Sequence, residues 1–266
     1  MIKSIGKHIK YFLFSFRLGF LNITIFRGNY WFIVFFESLI SIAYIVLIEV
    51  IFGNINSLAG WSKYELYVLY GTFQLQVQLA SMVYVVGVDS FRNRIITGSL
   101  DILIVKPMDT QFLSTFPSMA LNKLFPMVPA AYMVLYGLAQ LNIKITFLAV
   151  LIYSVLFFIG ILMQTVTVST VMALSFWFLN NSSFGRLISL AYSYAQQPKE
   201  IFGPVLSIVF TFVIPVLLYT NPAVSALIKQ TDPGLIIISS FMLAVLFAIS
   251  RLVWKMGLLR YQSASS

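Results

Sequence analysis

From Trp31 to Met256 the chain is written in apolar runs separated by short charged or proline-bearing breaks, and the length of those runs decides what it can become. About 20 apolar residues, rising 1.5 Å each as a helix, cover a hydrocarbon core about 30 Å thick. Six runs reach that length, at about 31–52, 66–88, 113–139, 145–178, 203–220 and 234–256. With 60% hydrophobic and 9% charged residues and a mean hydropathy of +0.93, the chain lies far from a soluble domain, in which about a quarter of residues are charged. The expectation is an all-α polytopic membrane protein with six transmembrane helices. The run at 145–178 is long for one span and short for two. Either it crosses once, or 145–163 and 165–182 cross separately and the proline-bearing 198–222, with Pro204, Pro215 and Pro222, becomes an outer re-entrant element. The first reading keeps Arg186 and Lys199 inside and is preferred.

Charge sets the orientation. With both termini in the cytoplasm, thirteen of the seventeen Lys and Arg fall on the inner side, three (Lys63, Lys144 and Lys229) fall outside, and Lys123 lies within a span, as the positive-inside rule requires. The net charge of +9 therefore reads as topology and attraction to anionic lipid, with no nucleic-acid partner. The expected location is the cell membrane, multi-pass. Residues 1–30 place Ile2, Ile5, Ile9, Phe12, Phe16 and Phe20 on one arc of a helical wheel and Lys3, Lys7, Lys10 and Arg17 on the other, the pattern of an amphipathic interfacial helix. Arg17 and Arg27 break the apolar run that a signal peptide would need, so the mature chain is expected to begin near Met1. The domains are then 1–30, a six-span unit at 31–256 and a cytoplasmic tail at 257–266. Pro126 and Pro129 are expected to kink the third span.

Between the second and third runs stands "RIITGSLDILIVKP", Arg94 to Pro107. Ile96, Leu100 and Leu103 recur at helical spacing among Arg92, Arg94, Asp101 and Lys106, Gly98 permits a sharp turn and Pro107 ends a helix. By pattern alone this is either a loop helix resting on lipid or a docking surface for a cytoplasmic protein. The "GSLDILIVKP" within it resembles the segment after the second span in permeases of the ABC-2 exporter superfamily. "WKMGLLRYQSASS", Trp254 to Ser266, resembles the ending of one subgroup of similar length, and "QPKEIF" (Gln197 to Phe202) and "VIPV" (Val213 to Val216) fit it more loosely.

The resemblance implies a transmembrane subunit that dimerises with a second permease, the same or paralogous, and carries two copies of a separate ABC ATPase. That partner would bind ATP and Mg, and this chain would bind no cofactor. About Ile95 to Val105 would be the coupling helix, with Arg94, Ile96, Gly98, Leu100, Asp101, Leu103, Lys106 and Pro107 as the coupling residues and Leu100 and Leu103 seated in the ATPase. The chain has no G-x-x-x-x-G-K-[ST] phosphate loop, so hydrolysis is assigned to another polypeptide. The cargo would be a drug, peptide or lipid-like molecule.

Polar residues inside the runs supply the remaining candidates. Glu37 and Lys123 stand at similar depths from the inner side, and an unpaired charge in hydrocarbon costs several kcal/mol, so either the two form an ion pair or Lys123 snorkels to the headgroups and Glu37 is protonated or wetted, and the sequence leaves the choice open. Gln74, Gln78 and Gln164 are either interhelical hydrogen-bonding groups or part of a translocation path. An ion-coupled secondary transporter using the Glu37/Lys123 pair is the alternative function. A membrane transferase would need an acidic or histidine cluster, and the single His8 with no cysteine offers neither that nor a zinc site.

Overall fold

The computed structural model describes residues 2–25, 27–178, 182–229 and 232–261. Its regular structure is helical throughout, apart from an isolated bridge between Leu58 and Trp61. The 34-residue α3 (Lys63–Ile96) is the central element. It begins at a reciprocal cap, in which the Ser62 hydroxyl accepts from the Glu65 amide while the Glu65 carboxylate accepts from the Ser62 amide at 2.7 Å. At about 51 Å it runs the length of the molecule, from an end marked by Trp61 to an end marked by Phe91. α6 (Met127–Leu141) packs directly on it. A methyl at Gly71 would fall 2.8 Å from the Ala130 carbonyl oxygen and one at Gly137 would fall 2.7 Å from that of Tyr64. Glycine on both faces lets the two backbones approach, the usual device of helix pairs in lipid.

α2 (Arg27–Phe52) flanks this pair, and its far end is fixed by Glu49, which accepts from the Tyr67 hydroxyl and from Lys63, each at 2.7 Å. α7 (Phe147–Ala173) starts at a Thr146 cap, packs against α3 on another side and runs on through a 3-10 turn to Phe176. The fourth apolar run is therefore one helix, as preferred above. α11 (Gly234–Arg260) lies along α7 and ends at the Phe91 end with Trp254. Among the described residues four helices are long and apolar enough to cross a membrane, Tyr30–Phe52, Leu121–Leu141, Phe147–Phe176 and Gly234–Arg260, and five if the bent pair Pro204–Val213 and Val216–Ile228 is counted as one span.

The third run departs from a single kinked helix. It divides into α5 (Thr110–Thr115), a non-helical stretch at Phe116 to Ala120, a 3-10 turn at Leu121–Leu124 and then α6. Pro117 lacks the N–H that would continue α5, while Pro126 and Pro129 occupy the cap and first turn of α6, where a missing donor costs nothing. Irregular backbone survives at such a position only when protein covers it. α1 (Ile2–Ile25) supplies part of the cover: the Ser15 hydroxyl donates to the Phe116 carbonyl at 3.1 Å, the Met119 amide donates to the Ser15 carbonyl at 3.2 Å, and the Ala120 amide reaches Met82 of α3 at 2.8 Å. The small residues Ser15 and Gly19 of α1 thus face the break, and Phe12, Phe16 and Phe20 are exposed. The side chains of Ile2, Lys3, Ile5 and Ile9, assigned to the same amphipathic pattern, lie outside the described residues.

The fifth run is likewise not one helix. α8 (Ser182–Ala195) passes Tyr84 at Tyr192 and is followed by a turn that brings Glu200 to the Trp61 end. From there α9 (Pro204–Ile208) and a π turn to Val213 lead inward, the chain bends by 76° at Ile214 and Pro215, and α10 (Asn221–Ile228) returns to place Lys229 over the Trp61 ring. Lys199, expected at the inner side, therefore lies at the Trp61 end, where its neighbour Glu200 accepts from Trp61. A bend of this kind strands backbone groups, and Gln76 of α3, fully buried, receives them. Its amide donates to the Tyr219 and Phe157 carbonyls at 2.9 and 3.2 Å, and its carbonyl oxygen accepts from Thr220 at 2.6 Å.

Candidate functional site

At the Phe91 end, α3 stops and the chain makes the elbow that the "RIITGSLDILIVKP" stretch encodes. Gly98 takes φ +71°, a left-handed conformation open to glycine and strained for other residues. Its amide returns to the Ile95 carbonyl at 3.4 Å and the Leu100 amide reaches the Arg94 carbonyl at 3.1 Å, closing the helix. The reversal leads into α4 (Asp101–Ile104), a single turn that ends before Lys106 and Pro107.

The two faces of this turn are the reverse of the expectation. Leu100 is fully buried and Leu103 nearly so, within a cluster formed by Phe91, Leu113, Met172, Ala173 and Trp254. They fasten the turn to the molecule and are not available to a partner. The outward side chains are Ile96, Ile102, Ile104 and Val105, at 48%, 61%, 43% and 81% exposed. Helical spacing alone could not tell the two faces apart: a four-residue helix with apolar residues at almost every position has two candidate apolar faces, and the one that fits the hollow between α3, α7 and α11 wins. Arg94 is half-buried with its Nε unpartnered, and Lys106 is exposed. Tyr261, just past α11, packs on the same cluster; burial first and the nearby Asp101 carboxylate second push its phenol above the ordinary value.

The start of α5 is tied separately. Asp109 caps it by accepting from the Phe112 amide at 2.9 Å and is held by Arg251 of α11 in a two-pronged contact, Nη2 to Oδ2 at 2.7 Å and Nη1 to Oδ1 at 2.9 Å. Burial alone would raise this carboxyl, but the Arg251 and Phe112 hydrogen bonds outweigh it and hold the group below its ordinary value. Arg251 also donates to Gln111, whose amide donates to Ser169 and Ser250 at 3.0 and 2.8 Å, joining α5, α7 and α11. A cavity of about 390 Å³ lies over this network, with Thr165, Phe116 and Phe247 in its wall. Sequence reading passed over Asp109, Gln111 and Arg251. The signal was an Asp two residues after the motif's proline at a helix-cap position, but its partner is 142 residues away.

The intramembrane candidates divide. Lys123, on the 3-10 turn that follows the break, contacts Glu37 directly, with both side chains largely buried and Glu37 Oε2 without a partner among the described residues. Gln74, Gln78 and Gln164 are buried, and the Gln78 carbonyl and both ends of the Gln164 amide have no partner among the described residues. The interhelical glue is instead Gln76. "QPKEIF" and "VIPV" prove to be the two turning points of the chain around α9: Asn221 bonds the Lys199 amide and the Gln197 carbonyl at the first, Trp61 donates to Glu200 at 2.8 Å, and Pro215 makes the second.

Neither the curated proteins nor the solved structures include a match to this sequence. The sequence model described as ABC-2 family transporter protein matches residues 38–265, from α2 through the elbow to the C-terminal motif, and the chain therefore belongs to the ABC-2 transporter family.

Proposed function

We propose that this chain is the transmembrane subunit of an ATP-driven exporter and that the elbow is where a separate ABC ATPase takes hold. The observation that carries the reading is the outward face of α4: an apolar face on a turn held rigid from behind by Leu100 and Leu103, at the end of the molecule where Arg94, Lys106 and Arg260 gather. Ile102 and Val105 fill an apolar cleft of the ATPase, and Ile96 and Ile104 border it. ATP and Mg are bound by that partner, present in two copies, and a second permease, identical or paralogous, completes the complex.

In this reading six segments cross the membrane: α2, α3, α5 with α6, α7, α8 with the turn after it, and α11. The bent α9–α10 pair is re-entrant from the outside, and both termini are cytoplasmic. α8 by itself, at 14 residues or about 21 Å, is too short to cross and needs the Gln196–Ile201 stretch to complete the passage. ATP-driven closure of the partner displaces the elbow, and the spans exchange between inward-facing and outward-facing arrangements around a drug, peptide or lipid-like cargo. Glu37 and Lys123 fasten α2 to the broken third span as a structural pair.

The test is affinity purification of the tagged chain in mild detergent, with identification of what accompanies it and an ATPase assay. An ABC ATPase is expected to co-purify and hydrolyse ATP. It should be lost from I102D/V105D at unchanged melting temperature, whereas Leu100→Asp should lower the melting temperature as well. A chain that elutes alone, or an I102D/V105D variant that keeps its ATPase, defeats the proposal.

A further inference from the structure

The Trp254 to Tyr261 stretch packs behind the elbow, in the cluster that holds Leu100 and Leu103. The Trp254 ring, 1% exposed, lies 5.1 Å from Phe91 and 5.4 Å from Phe176, and those two lie 5.3 Å apart. The ends of α3, α7 and α11 thus meet in one aromatic triangle, and Leu100 and Leu103 rest on the same cluster. The indole N–H is buried without an acceptor among the described residues, so Trp254 contributes its breadth and not a hydrogen bond. At Gly257 any side chain would run into the Phe176 ring, which closes α11 onto the α7 end. One turn later Tyr261 lies 6.3 Å from Phe176 and packs on the cluster that holds Leu100 and Leu103, near Asp101, its hydroxyl without a hydrogen-bond partner among the described residues. On the other side of the elbow, Arg251 grips Asp109.

α11 therefore holds the elbow at both ends, through Arg251 after it and through Trp254 and Tyr261 behind it. α4 is joined covalently only to α3, by way of Gly98, and to α5, by way of Pro107. Its link to α11 is made wholly of these contacts. Close-packed side chains have little room to slide and so pass displacements on. We propose that the last three turns of α11, with Arg251, Trp254 and Tyr261 as positioning residues, form a second coupling arm that moves as one body with α4 and carries its displacement into α11 and α7. This rests on the transmembrane-subunit reading above, and it gives the C-terminal motif a mechanical role.

The chain contains no cysteine, so D101C/Y261C supplies this chain's only thiols, and the crosslink between them is read on this chain's own band from the assembled complex. The same preparation is compared oxidised and reduced, nucleotide-free and vanadate-trapped. The arm predicts equal crosslinking rates in both nucleotide states and equal ATP turnover before and after reduction. A rate that changes with nucleotide, or turnover that oxidation abolishes and reductant restores, overturns it. Independently, Trp254→Ala should lower ATP turnover severalfold with the ATPase still bound, and Trp254→Phe should recover most of it; a Trp254→Ala complex with wild-type turnover also overturns the arm. If the unmodified chain carries no ATPase at all, it is the transmembrane-subunit reading that fails.

Discussion

Two residues illustrate how far a side chain's worth depends on what faces it. Gly98 is held at φ +71°, and an L-residue there is strained by about 1–2 kcal/mol. Gly98→Ala is expected to lower the melting temperature modestly while changing ATP turnover more, because the strain falls on the turn that sets the direction of α4. Glu37 and Lys123 make the complementary case. Removing one partner of a largely buried pair costs about 3–5 kcal/mol, while replacing both by apolar residues is often close to neutral. Glu37→Leu and Lys123→Met should each destabilise the purified protein strongly, and the double variant should recover most of the loss. Additive melting-temperature losses would show that the two groups act separately. The pairing was one of two readings the sequence left open, since a charge in an apolar run can meet an opposite charge or reach headgroups and water. What was not legible is that a helix break, and not helical depth, sets the height of Lys123.

At the scale of elements, the irregular stretches are the informative ones. The Phe116–Ala120 break and the Ile214–Pro215 bend each strand backbone groups, and each is answered by one small or polar side chain on a distant helix, Ser15 in one case and Gln76 in the other. Gln76→Leu keeps the volume but leaves the Tyr219 carbonyl without its buried donor, a loss of about 1–3 kcal/mol. It should free the α9–α10 bend first, seen as faster proteolysis near Pro215 ahead of global unfolding. The prolines made both irregularities foreseeable, and Pro126 and Pro215 do mark them. Their shape was not foreseeable, because a proline states where a helix stops and not what covers the opened backbone. The same limit explains α4, whose inward and outward apolar faces hydropathy could not distinguish.

For the whole molecule, the Asp109–Arg251 contact joins the elbow to α11 and makes their union sensitive to acid. The carboxyl is held below its ordinary value of 3.8 in the folded state, so the unfolded chain takes up the proton first as pH falls. The stabilisation is complete above the ordinary carboxylate range and is lost as pH drops through the lower folded value. Asp109→Asn should flatten this acid limb of the melting-temperature profile, and an unchanged limb would assign it to other carboxylates. Apolar run length, basic-residue bias and proline positions by themselves determined that this is a helical membrane protein and where its chain can turn, because those properties are local and set by the thickness of a bilayer. Only the tertiary structure decided that the fifth run folds back, that α1 covers a broken helix, that Leu100 and Leu103 point inward and that α11 clamps the elbow. Each of these depends on which groups the fold buries together across more than a hundred residues of chain, and no local pattern carries that information.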